Sequence, residues 1–378
     1  MKINSKLLLV SRIIVGLTFI FSGFVKAVDP SGWMIKLTEY FIAFNIEGLQ
    51  PAAVVLTFIL CCYEVPLGVG ILFGLRGKLM SWLLLLTMLP FTILTFYLAI
   101  SNPVSDCGCF GDAIILTNWE TFYKNVVLMG FTIIIFISRK NIKPIFKGFW
   151  DWGLVIISTL LIVVMSVYCY AYLPILDFRA YKVGNDVKEL MTIPEGKTGD
   201  ILKTVLVYKD LTTGELKEFD ASNLPMDENL EYLETKPNEL VKKGYDPPTK
   251  SFKLDDSTGV EVTDLFLNEN GYRLLIVHHK LESEGSKAQK KLNELVNNIL
   301  KDGDVGVWAV TSALNEDVKT YINTYEVPYI MHSADIVLLE TIIRSNPGLL
   351  LFKDNVIIKK WPSKKIPSYE KLNSLLYN

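Results

Sequence analysis

Cysteine is absent from the second half of the chain. The sequence has 378 residues and five cysteines, the last of which is Cys169. The part that follows can therefore hold neither a disulfide framework nor a cysteine-ligated metal site. Histidine is scarce, with three residues in all, and the formal net charge of −2 gives no reason to expect a nucleic-acid partner.

Long apolar runs are also missing from the second half, whereas they dominate the first. Half of all residues are hydrophobic and the mean hydropathy is +0.32, which averages over two unlike parts. This split predicts a membrane domain followed by a globular one. Runs of suitable length predict five membrane-spanning helices, at residues 7–28, 51–75, 79–105, 119–138 and 152–174.

The first apolar run is open to two interpretations, a signal peptide or a retained helix. The residues around position 26 form a poor signal-peptidase site. Arg12, Gly16, Phe19, Gly23 and Lys26 fall on one helical face. A face with two cations and two glycines suits packing inside a bundle better than contact with lipid. We therefore expect a retained helix.

The segment after this helix, residues 33–44, is amphipathic and mixed in charge. Such a segment is typical of a helix at the membrane surface, where Trp33 and Tyr40 would act as anchors. We therefore expect it at the membrane–water interface.

Basic residues are concentrated in three segments that flank or connect the apolar runs. With five spans these segments share one side, and the positive-inside rule places that side in the cytoplasm. Residues 105–112 and everything after Asp177 then face the opposite space. The pattern predicts a multi-pass protein of the bacterial inner membrane, with a cytoplasmic N-terminus and a periplasmic C-terminal half. The basic residues are Lys2, Lys6 and Arg12, then Arg76 and Lys78, then Arg139, Lys140, Lys143 and Lys147.

The second half alternates strand-like and helix-like segments. After a linker at 175–199, a hairpin is expected at 205–208 and 216–219, and the charged stretch 223–248 is expected to be loop. Strands and helices then alternate and predict an α/β sandwich. The expected strands are 273–278, 305–310, 329–332, 349–352 and 356–361, and the expected helices are 286–300, 316–325, 334–344 and the segment after Pro367.

Cys107 and Cys109 lie in the loop SDCGCFGD between two apolar runs. A thiolate is the nucleophile of disulfide exchange, and an oxidising compartment favours a disulfide. A ring closed across one residue is strained and easier to reduce, and Gly108 relieves part of the backbone cost. Asp106 and Asp112 tend to raise the thiol pKa, which opposes a reactive thiolate. The two residues are therefore either a redox pair or part of a tight turn with structural thiols.

Other cysteine chemistry is less well supported. A metal site at the loop would need further ligands, and no histidine lies nearby. Cys61 and Cys62 are adjacent near mid-membrane, so they point to different helical faces and are expected to be buried apolar residues. Cys169 lies near the end of the fifth span and is a candidate resolving thiol.

Glu64 and Arg12 are ionisable residues within apolar spans, and they lie at similar predicted depths. An unpaired charge in a bilayer is costly, so such residues usually pair or serve function. We expect the two to form an ion pair in the bundle core. The pair is either purely structural or borders a pocket for a quinone-sized ligand or for protons.

The membrane half resembles the DoxX/MauE family of small helical-bundle membrane proteins. The matching positions are Arg12, Gly16, Phe21-Ser22-Gly23 and Lys26 in the first span, Glu64, Gly68 and Gly70 in the second, and the CGCFGD run from Cys107 to Asp112. The CGCFGD run is similar to the MauE branch. The resemblance implies a link to redox and disulfide biology in the envelope. It also implies a four-helix domain at 1–145 and a fifth helix at 146–176.

The last part of the chain resembles a thioredoxin-like or peroxiredoxin-like domain. A strand at 273–278 leads to a loop and a helix, and Asn346-Pro347 sits where that fold places its cis-proline. The loop at 279–285 contains no cysteine. The resemblance implies this fold over 266–378 and a partner-binding surface, without dithiol chemistry of its own. Residues 177–265 are expected to form a linker with a small β or irregular region.

Two functions fit these observations. In the first, Cys107 and Cys109 exchange electrons with a partner thiol and with a membrane carrier, for which a quinone is the candidate. The chain would then be a component of a thiol–disulfide oxidoreductase. In the second, the protein is a non-catalytic membrane scaffold or assembly factor whose cysteine-free domain binds an envelope protein. Both require the lipid bilayer and a membrane or envelope protein partner.

Overall fold

The computed structural model describes residues 4–146, 148–220, 229–236, 239–242, 244–281 and 286–377. Six α-helices make up its first half. Five of them are long and apolar enough to cross a membrane, which agrees with the five expected spans. The helices are α1 (Ser5–Val28), α2 (Pro30–Ala43), α3 (Ala53–Phe73), α4 (Gly77–Ser101), α5 (Asn118–Ile137) and α6 (Trp150–Ala171).

Local sequence signals set the ends of these helices. Thr117 and Glu120 form a reciprocal capping box at the start of α5. Gly74 ends α3 with a φ of +69°, a left-handed conformation that favours glycine. The Asp29 carboxylate follows α1 and accepts a hydrogen bond from the Gly32 N–H, which caps α2. The chain therefore enters α2 immediately after the first span.

The membrane helices form a four-helix core with α6 on its outside. α1 packs along α3, and α4 packs along α5. A Cβ added at Gly68 would lie 2.7 Å from the Gly16 carbonyl oxygen, so glycine lets α1 and α3 approach closely. α6 packs against α3 and α1. This arrangement confirms the expected bundle with an additional fifth span.

The expected helix at 33–44 is present as α2, but its two aromatic rings are not exposed as membrane anchors would be. Trp33 and Tyr40 are buried, and they pack in one cluster with Leu98, Val104 and Cys107. α2 also contacts α3. The two rings are therefore packing residues of the thiol loop, because the face of α2 that carries them meets protein.

The second half is a mixed α/β structure. Its strands are β1 (Ile201–Lys203), β2 (Val205–Asp210), β3 (Leu216–Asp220), β4 (Leu230–Thr235), β5 (Glu239–Lys242), β6 (Tyr272–His278), β7 (Val305–Thr311), β8 (Met331–Ser333), β9 (Gly348–Lys353) and β10 (Val356–Pro362). Its helices are α7 (Thr263–Asn268), α8 (Ser286–Asp302), α9 (Asn315–Tyr325), α10 (Ile336–Ile342) and α11 (Tyr369–Leu376).

The main sheet has the strand order β10-β9-β6-β7-β8. β6, β7 and β8 are parallel, whereas β9 and β10 are antiparallel to their neighbours. Residues of α8, α9 and α11 pack on one face, and residues of α7 and α10 pack on the other. A βαβ unit joined to an antiparallel hairpin and a final helix is the thioredoxin-like arrangement. The peptide bond between Asn346 and Pro347 is cis, as expected.

The α/β core begins earlier in the chain than residue 266. Tyr181, Val187, Phe252 and Leu254 are buried in the same cluster as strand residues of the main sheet. An isolated bridge also joins Asp186 to Val356. The segments that flank the small sheets are therefore part of the domain, because their apolar side chains complete one face of its core.

The expected hairpin is confirmed as β2 and β3, but the expected loop at 223–248 is wrong in part. β4 pairs with β2 in a three-stranded sheet of order β3-β2-β4, and β5 pairs with β1. Residues 223–228, 237–238 and 243 of that stretch lie outside the described residues. β4 was not predicted because it carries several charged residues, and these are tolerated because both faces of the strand are largely exposed.

Candidate functional site

The loop between α4 and α5 carries the two cysteines at one end of the bundle. Cys107 and Cys109 are joined by a disulfide bond. Gly108 between them has a φ of +63°, which glycine adopts without steric cost. The Asp106 carboxylate accepts a hydrogen bond of 2.8 Å from the Gly108 N–H. The sequence therefore shapes the turn that brings both sulfur atoms together.

Side chains of α1 and α2 hold the backbone of this loop. The Tyr40 hydroxyl donates a hydrogen bond of 3.1 Å to the Cys107 carbonyl oxygen. The Ser22 hydroxyl and the Lys26 ammonium both donate to the Cys109 carbonyl oxygen, at 2.9 and 3.1 Å. Both cysteines are buried, with exposures of 2% and 5%. The disulfide is thus fixed against the helices and shielded from solvent.

Lys26 is the central charged residue below the loop. Its ammonium lies 2.7 Å from Glu64 Oε2, 3.0 Å from Oε1 and 2.5 Å from Ser22 Oγ. It also lies 5.0 Å from the centroid of the Trp33 ring. The Lys26 side chain is 1% exposed. A buried ammonium is stable only with such partners, so Glu64 compensates its charge directly.

The expected ion pair between Glu64 and Arg12 is wrong. Arg12 donates hydrogen bonds to the carbonyl oxygens of Ile71 and Leu72, at 2.9 and 3.0 Å. These carbonyls belong to the last turn of α3, whose negative end attracts a cation. Arg12 therefore stabilises the end of α3, and its role is separate from that of Glu64.

The packing of α1 on α3 explains this correction. A Cβ added at Gly23 would lie 2.9 Å from Glu64 Cβ, and one added at Gly16 would lie 2.9 Å from Leu72 Cβ. Glu64 is thus level with Gly23, because the first turns of α3 extend beyond the end of α1. Lys26 lies on the face of α1 that the sequence predicts to pack inside the bundle. Which cation on that face reaches Glu64 depends on the alignment of α1 with α3.

A cavity of about 100 Å³ lies inside the four-helix core, directly below the loop. Cys109, Lys26 and Glu64 line it at the loop end, together with Lys124 and Tyr63 from the bundle. The Tyr63 hydroxyl hydrogen-bonds Thr87 Oγ1 at 2.7 Å. The cavity therefore lies between the Cys109 end of the loop and ionisable groups inside the membrane domain.

On the opposite side of the loop, Lys36 covers Gly108. A Cβ at Gly108 would lie 2.8 Å from Lys36 Cγ, and the Lys36 ammonium lies 2.7 Å from Glu39 and 3.1 Å from Asp106. Burial lowers the pKa of Lys36, but the hydrogen bonds and charges of both carboxylates outweigh it and raise the pKa. Lys36 therefore stays charged and closes the disulfide off from solvent.

The thioredoxin-like part lies at the same end of the bundle as the loop. Arg344, which follows α10, forms ion pairs with Asp29 at 3.0 Å and with Asp112 at 3.7 Å. A second cavity of about 180 Å³ lies between the two halves and is lined by Gly108 and Arg179 among others. Burial raises the pKa of Asp112, and the Arg344 charge opposes this. The disulfide loop and the α/β part thus share a charged interface.

The segment after α6 joins this interface through Asp177. Its carboxylate lies 2.8 Å from Arg179 and 3.0 Å from Lys360. Burial alone would raise the pKa of Asp177, but the two cations lower it to about 2. Burial and the Arg179 charge lower the pKa of Lys360 to about 8. The connection between the two halves is therefore held by buried charges.

The basic segments lie together at the opposite end of the bundle. A Cβ at Gly74 would meet both the Arg12 guanidinium and the Lys143 carbonyl oxygen. Arg76 forms an ion pair with Asp151 at 3.1 Å. The expectation that these segments share one end, away from the thiol loop, agrees with this packing. Lys2 and Lys147 lie outside the described residues.

The other candidate residues lie apart from the disulfide chemistry in the described part of the chain. Cys61 and Cys169 are buried free cysteines, and Cys62 is half-buried. His279 Nε2–H donates a hydrogen bond to the Leu339 carbonyl oxygen, 3.2 Å away. Burial lowers the pKa of His279 to about 4, and the Arg344 charge adds to this.

Among the described residues no cluster of His, Cys, Asp and Glu could hold a metal ion. Residues 282–285 of the loop after β6 lie outside the described residues.

Comparison with known proteins gives a family match within the membrane half. Residues 4–138 match the family model of the methylamine utilisation protein MauE. The match covers α1 to α5 and the thiol loop, and together with the five apolar helices it supports a multi-pass membrane protein. The expected similarity to DoxX proteins stays a prediction. No curated protein matches the chain.

Comparison with solved structures also gives a similar structure. It is the solution structure of a candidate protein disulfide isomerase from Bacteroides thetaiotaomicron, with 17% identity and a TM-score of 0.26. The alignment covers 33% of this chain and 80% of that chain. At this TM-score the likeness adds nothing to the fold description, which follows from the strand order.

Proposed function

We propose that this protein transfers electrons between a protein dithiol and a membrane carrier through the Cys107–Cys109 disulfide. The observation that carries the proposal is the position of the disulfide. It lies between a charged interface on one side and an intramembrane cavity on the other. The match of residues 4–138 to MauE and the thioredoxin-like second half are consistent with a redox-associated membrane protein.

The proposed reaction begins with thiol–disulfide exchange. A partner thiolate attacks one sulfur of the pair, the Cys107–Cys109 bond breaks, and a mixed disulfide forms. The second partner thiol resolves the mixed disulfide, so the partner leaves oxidised and the pair becomes a dithiol with two electrons and two protons. A two-electron carrier dissolved in the bilayer then reoxidises the dithiol. A quinone is the candidate, since it accepts two electrons and two protons.

Thiol alkylation in membranes tests this function. We expect two additional reactive thiols in the full-length protein after treatment with a reductant, and their loss again on incubation with an oxidised short-chain quinone. A Cys107→Ser/Cys109→Ser variant should show neither change. A Cys61→Ser/Cys62→Ser variant is the matched control and should cycle like the parent. A pair that keeps one redox state under all of these conditions would rule out the proposal.

We also infer the orientation from the charge pattern. The basic residues at one end of the bundle favour the cytoplasm there, so the disulfide and the α/β part would face the periplasm of a bacterial inner membrane. Alkaline phosphatase fused after Asp177 should be active in cells, because it folds only in an oxidising space. Fusion after Lys140 is the control and should be inactive. The reverse result would place the thiols in the cytosol and would contradict the redox function.

A second candidate function is that of a scaffold. The α/β part lacks cysteine, and a cavity of about 380 Å³ separates its cis-proline loop at Asn346 from α2 and α6. A partner bound there would need no redox chemistry. If the double serine variant keeps the full phenotype and all partner binding, the scaffold is the better description and the disulfide is structural.

A further inference from the structure

Two adjacent lysines, Lys364 and Lys365, lie where the last membrane-spanning helix meets the α/β part. They belong to a short turn after β10, and both are exposed. The Lys365 ammonium lies 4.6 Å from the centroid of the Tyr172 ring and 5.8 Å from that of Tyr168. The Lys364 ammonium lies 5.7 Å from the Tyr172 ring. α6 ends at Ala171, so these rings mark the level at which the span leaves the membrane.

The topology of the main sheet places this turn at the membrane end of the α/β part. β10 ends at Pro362, which pairs with Gly348, and Gly348 also pairs with Val277 near the end of β6. The next residues after β6 include His279, which lines a cavity together with residues of α2 and α6. This end of the sheet therefore faces the membrane domain, and the course of β10 brings the two lysines to it.

The cavity at this junction has a volume of about 380 Å³. Ligand sites commonly measure about 300 to 1,000 Å³, so the space is sufficient for a bound molecule. Met34 of α2 and Val167 and Ala171 of α6 supply apolar surface, and Val167 is 51% exposed. Ser363 and Lys364 supply polar surface. One wall therefore continues the lipid-facing surface of α6, and the other belongs to the α/β part.

The charges around the cavity make its lysine end positive. In the described part of the chain neither Lys364 nor Lys365 forms an ion pair. Arg344 and Glu340 also line the cavity, but they line the neighbouring cavity between the two halves as well and so mark its inner end. Arg344 is paired with Asp29 there. Burial raises the pKa of Glu340, and the Arg344 charge opposes this. The ammonium groups without an ion pair are therefore at the outer end, beside α6.

These groups select a ligand with an anionic head and an apolar tail. An ammonium group carries only donors, and the Ser363 hydroxyl can donate as well. A phosphate group offers charged acceptor oxygens, and basic side chains at a membrane surface attract anionic lipid headgroups. An acyl chain matches the apolar wall that α2 and α6 form. A phospholipid supplies both parts at the level where the span ends.

We propose that this cavity binds an anionic phospholipid, whose phosphate contacts Lys364 and Lys365 and whose acyl chain lies along Val167 of α6. The bound lipid links the end of the last span to the turn after β10, and so holds the α/β part against the membrane surface. The proposal goes beyond the redox function and is independent of it, because the site contains neither Cys107 nor Cys109.

Photolabelling in lipid nanodiscs tests the site. The full-length protein would be reconstituted in phosphatidylcholine with a trace of phosphatidylglycerol that carries a photoreactive acyl chain, and the label located by peptide mass spectrometry. We expect label on α6 near Val167, removed by unlabelled phosphatidylglycerol but not by more phosphatidylcholine. Lys364→Gln/Lys365→Gln should lower this labelling about tenfold or more, because it removes both headgroup charges from the site.

The opposite end of the main sheet provides a matched control. The Lys353 ammonium lies 5.4 Å from the centroid of the Tyr272 ring, and these two residues pair where β6 begins. Lys301 lies in the last turn of α8, which leads to Val305 at the same end of the sheet. Lys301→Gln/Lys353→Gln removes the same two charges, one of them beside a tyrosine ring, and should leave the labelling unchanged. Equal thermal midpoints show that both variants are folded.

Four results would overturn the lipid site. They are labelling at other positions only, displacement by phosphatidylcholine as efficient as by phosphatidylglycerol, displacement by soluble glycerol phosphate, and full labelling of Lys364→Gln/Lys365→Gln. A protein partner that binds through the two lysines and displaces the lipid probe would assign the cavity to the scaffold function instead. The redox state of the cysteine pair does not enter this test, so the proposed electron transfer stands or fails separately.

Discussion

Lys26 shows how one buried charge can organise a functional loop. Its ammonium bonds Glu64, Ser22 and the Cys109 carbonyl oxygen at the same time. Desolvation of both charges is costly, and it is offset only while every partner is present. The ion pair therefore gives little net stability by itself, but it makes the position of the disulfide loop depend on α1 and α3.

Removal of Lys26 should destabilise the membrane domain strongly. Lys26→Met leaves the Glu64 carboxylate without its cation in an apolar core, and we expect a loss of about 3–5 kcal/mol. Unfolding of the full-length protein in mixed micelles, followed by tryptophan fluorescence, measures it. Lys26→Met/Glu64→Gln should recover much of the loss. Lys36→Met is the matched control, because its ion pairs are partly exposed and contribute about 1 kcal/mol or less. Equal stability of Lys26→Met and the parent would contradict this interpretation.

His279 should make the stability of the α/β part depend on pH. Its pKa is near 6.5 in an unfolded chain and is lowered to about 4 in the fold, mainly by burial. Between these values the unfolded chain binds more protons, so stability is complete above about pH 6.5 and falls as the pH drops towards 4. We expect a loss of about 1–3 kcal/mol over this range. Midpoints of chemical unfolding at several pH values measure it.

A variant at the same position isolates the contribution of the imidazole. In His279→Gln the amide can donate to the Leu339 carbonyl oxygen but does not titrate. The variant should lose less stability than the parent between about pH 6.5 and 4. If both proteins show the same pH dependence, the groups responsible lie elsewhere.

At the scale of elements, the pair α1 and α3 carries the geometry of the site. Gly16 and Gly23 on α1 and Gly68 on α3 bring the helices close enough for Lys26 to reach Glu64. Lipid offers no hydrophobic force between helices, so close backbone contact is a main source of their association. The elements that position the disulfide are thus fixed by small residues, while α6 packs outside them.

Widening this contact should weaken the domain and the loop together. A Cβ at Gly68 would lie 2.7 Å from the Gly16 carbonyl oxygen, so Gly68→Ala forces the helices apart and should cost about 1–3 kcal/mol. Gly130→Ala on α5 is the control, because no atom lies within 4 Å of the added Cβ, and it should cause no loss. Thermal unfolding in detergent compares the two. Equal midpoints would show that the helices have room to adjust.

At the scale of the whole molecule, the α/β part contacts the membrane domain beside the disulfide loop. Arg344 reaches both Asp29, which caps α2, and Asp112, which follows the cysteines in the loop. Lys36 closes the space above Gly108. Under the proposed function, we therefore expect a partner dithiol to reach the sulfur atoms when the two halves separate locally. The ion pairs of Arg344 link that opening to the loop itself.

Loss of the Arg344 contacts should expose the disulfide. In Arg344→Gln we expect reduction of Cys107–Cys109 by a membrane-impermeant phosphine to become about tenfold faster, as for a change of about 1.4 kcal/mol in the opening equilibrium. Timed alkylation after phosphine treatment measures the rate. Arg76→Gln, which breaks an ion pair at the opposite end of the bundle, should leave the rate unchanged. Equal rates in all three proteins would show that the α/β part does not control access.

Much of the fold could be predicted from local sequence. The five spans follow from apolar runs, and β6, α8 and β7 follow from their hydrophobic patterns. Both features depend on residues that are close in the chain. β4 was missed because its charges hide a strand that is paired with β2 but covered on neither face. The cysteine pair could be named as a candidate site, since spacing and glycine content are local as well.

The sequence by itself determined the membrane and α/β halves, the thiol loop and the helical face that carries Arg12 and Lys26. Only the tertiary structure decided that Lys26, not Arg12, meets Glu64, and that Trp33 and Tyr40 pack against the thiol loop. The physical reason is that hydropathy and spacing fix what each segment is, whereas the choice of partners depends on how far one helix slides along another. That alignment is set by the close fit of glycines and buried side chains from distant parts of the chain.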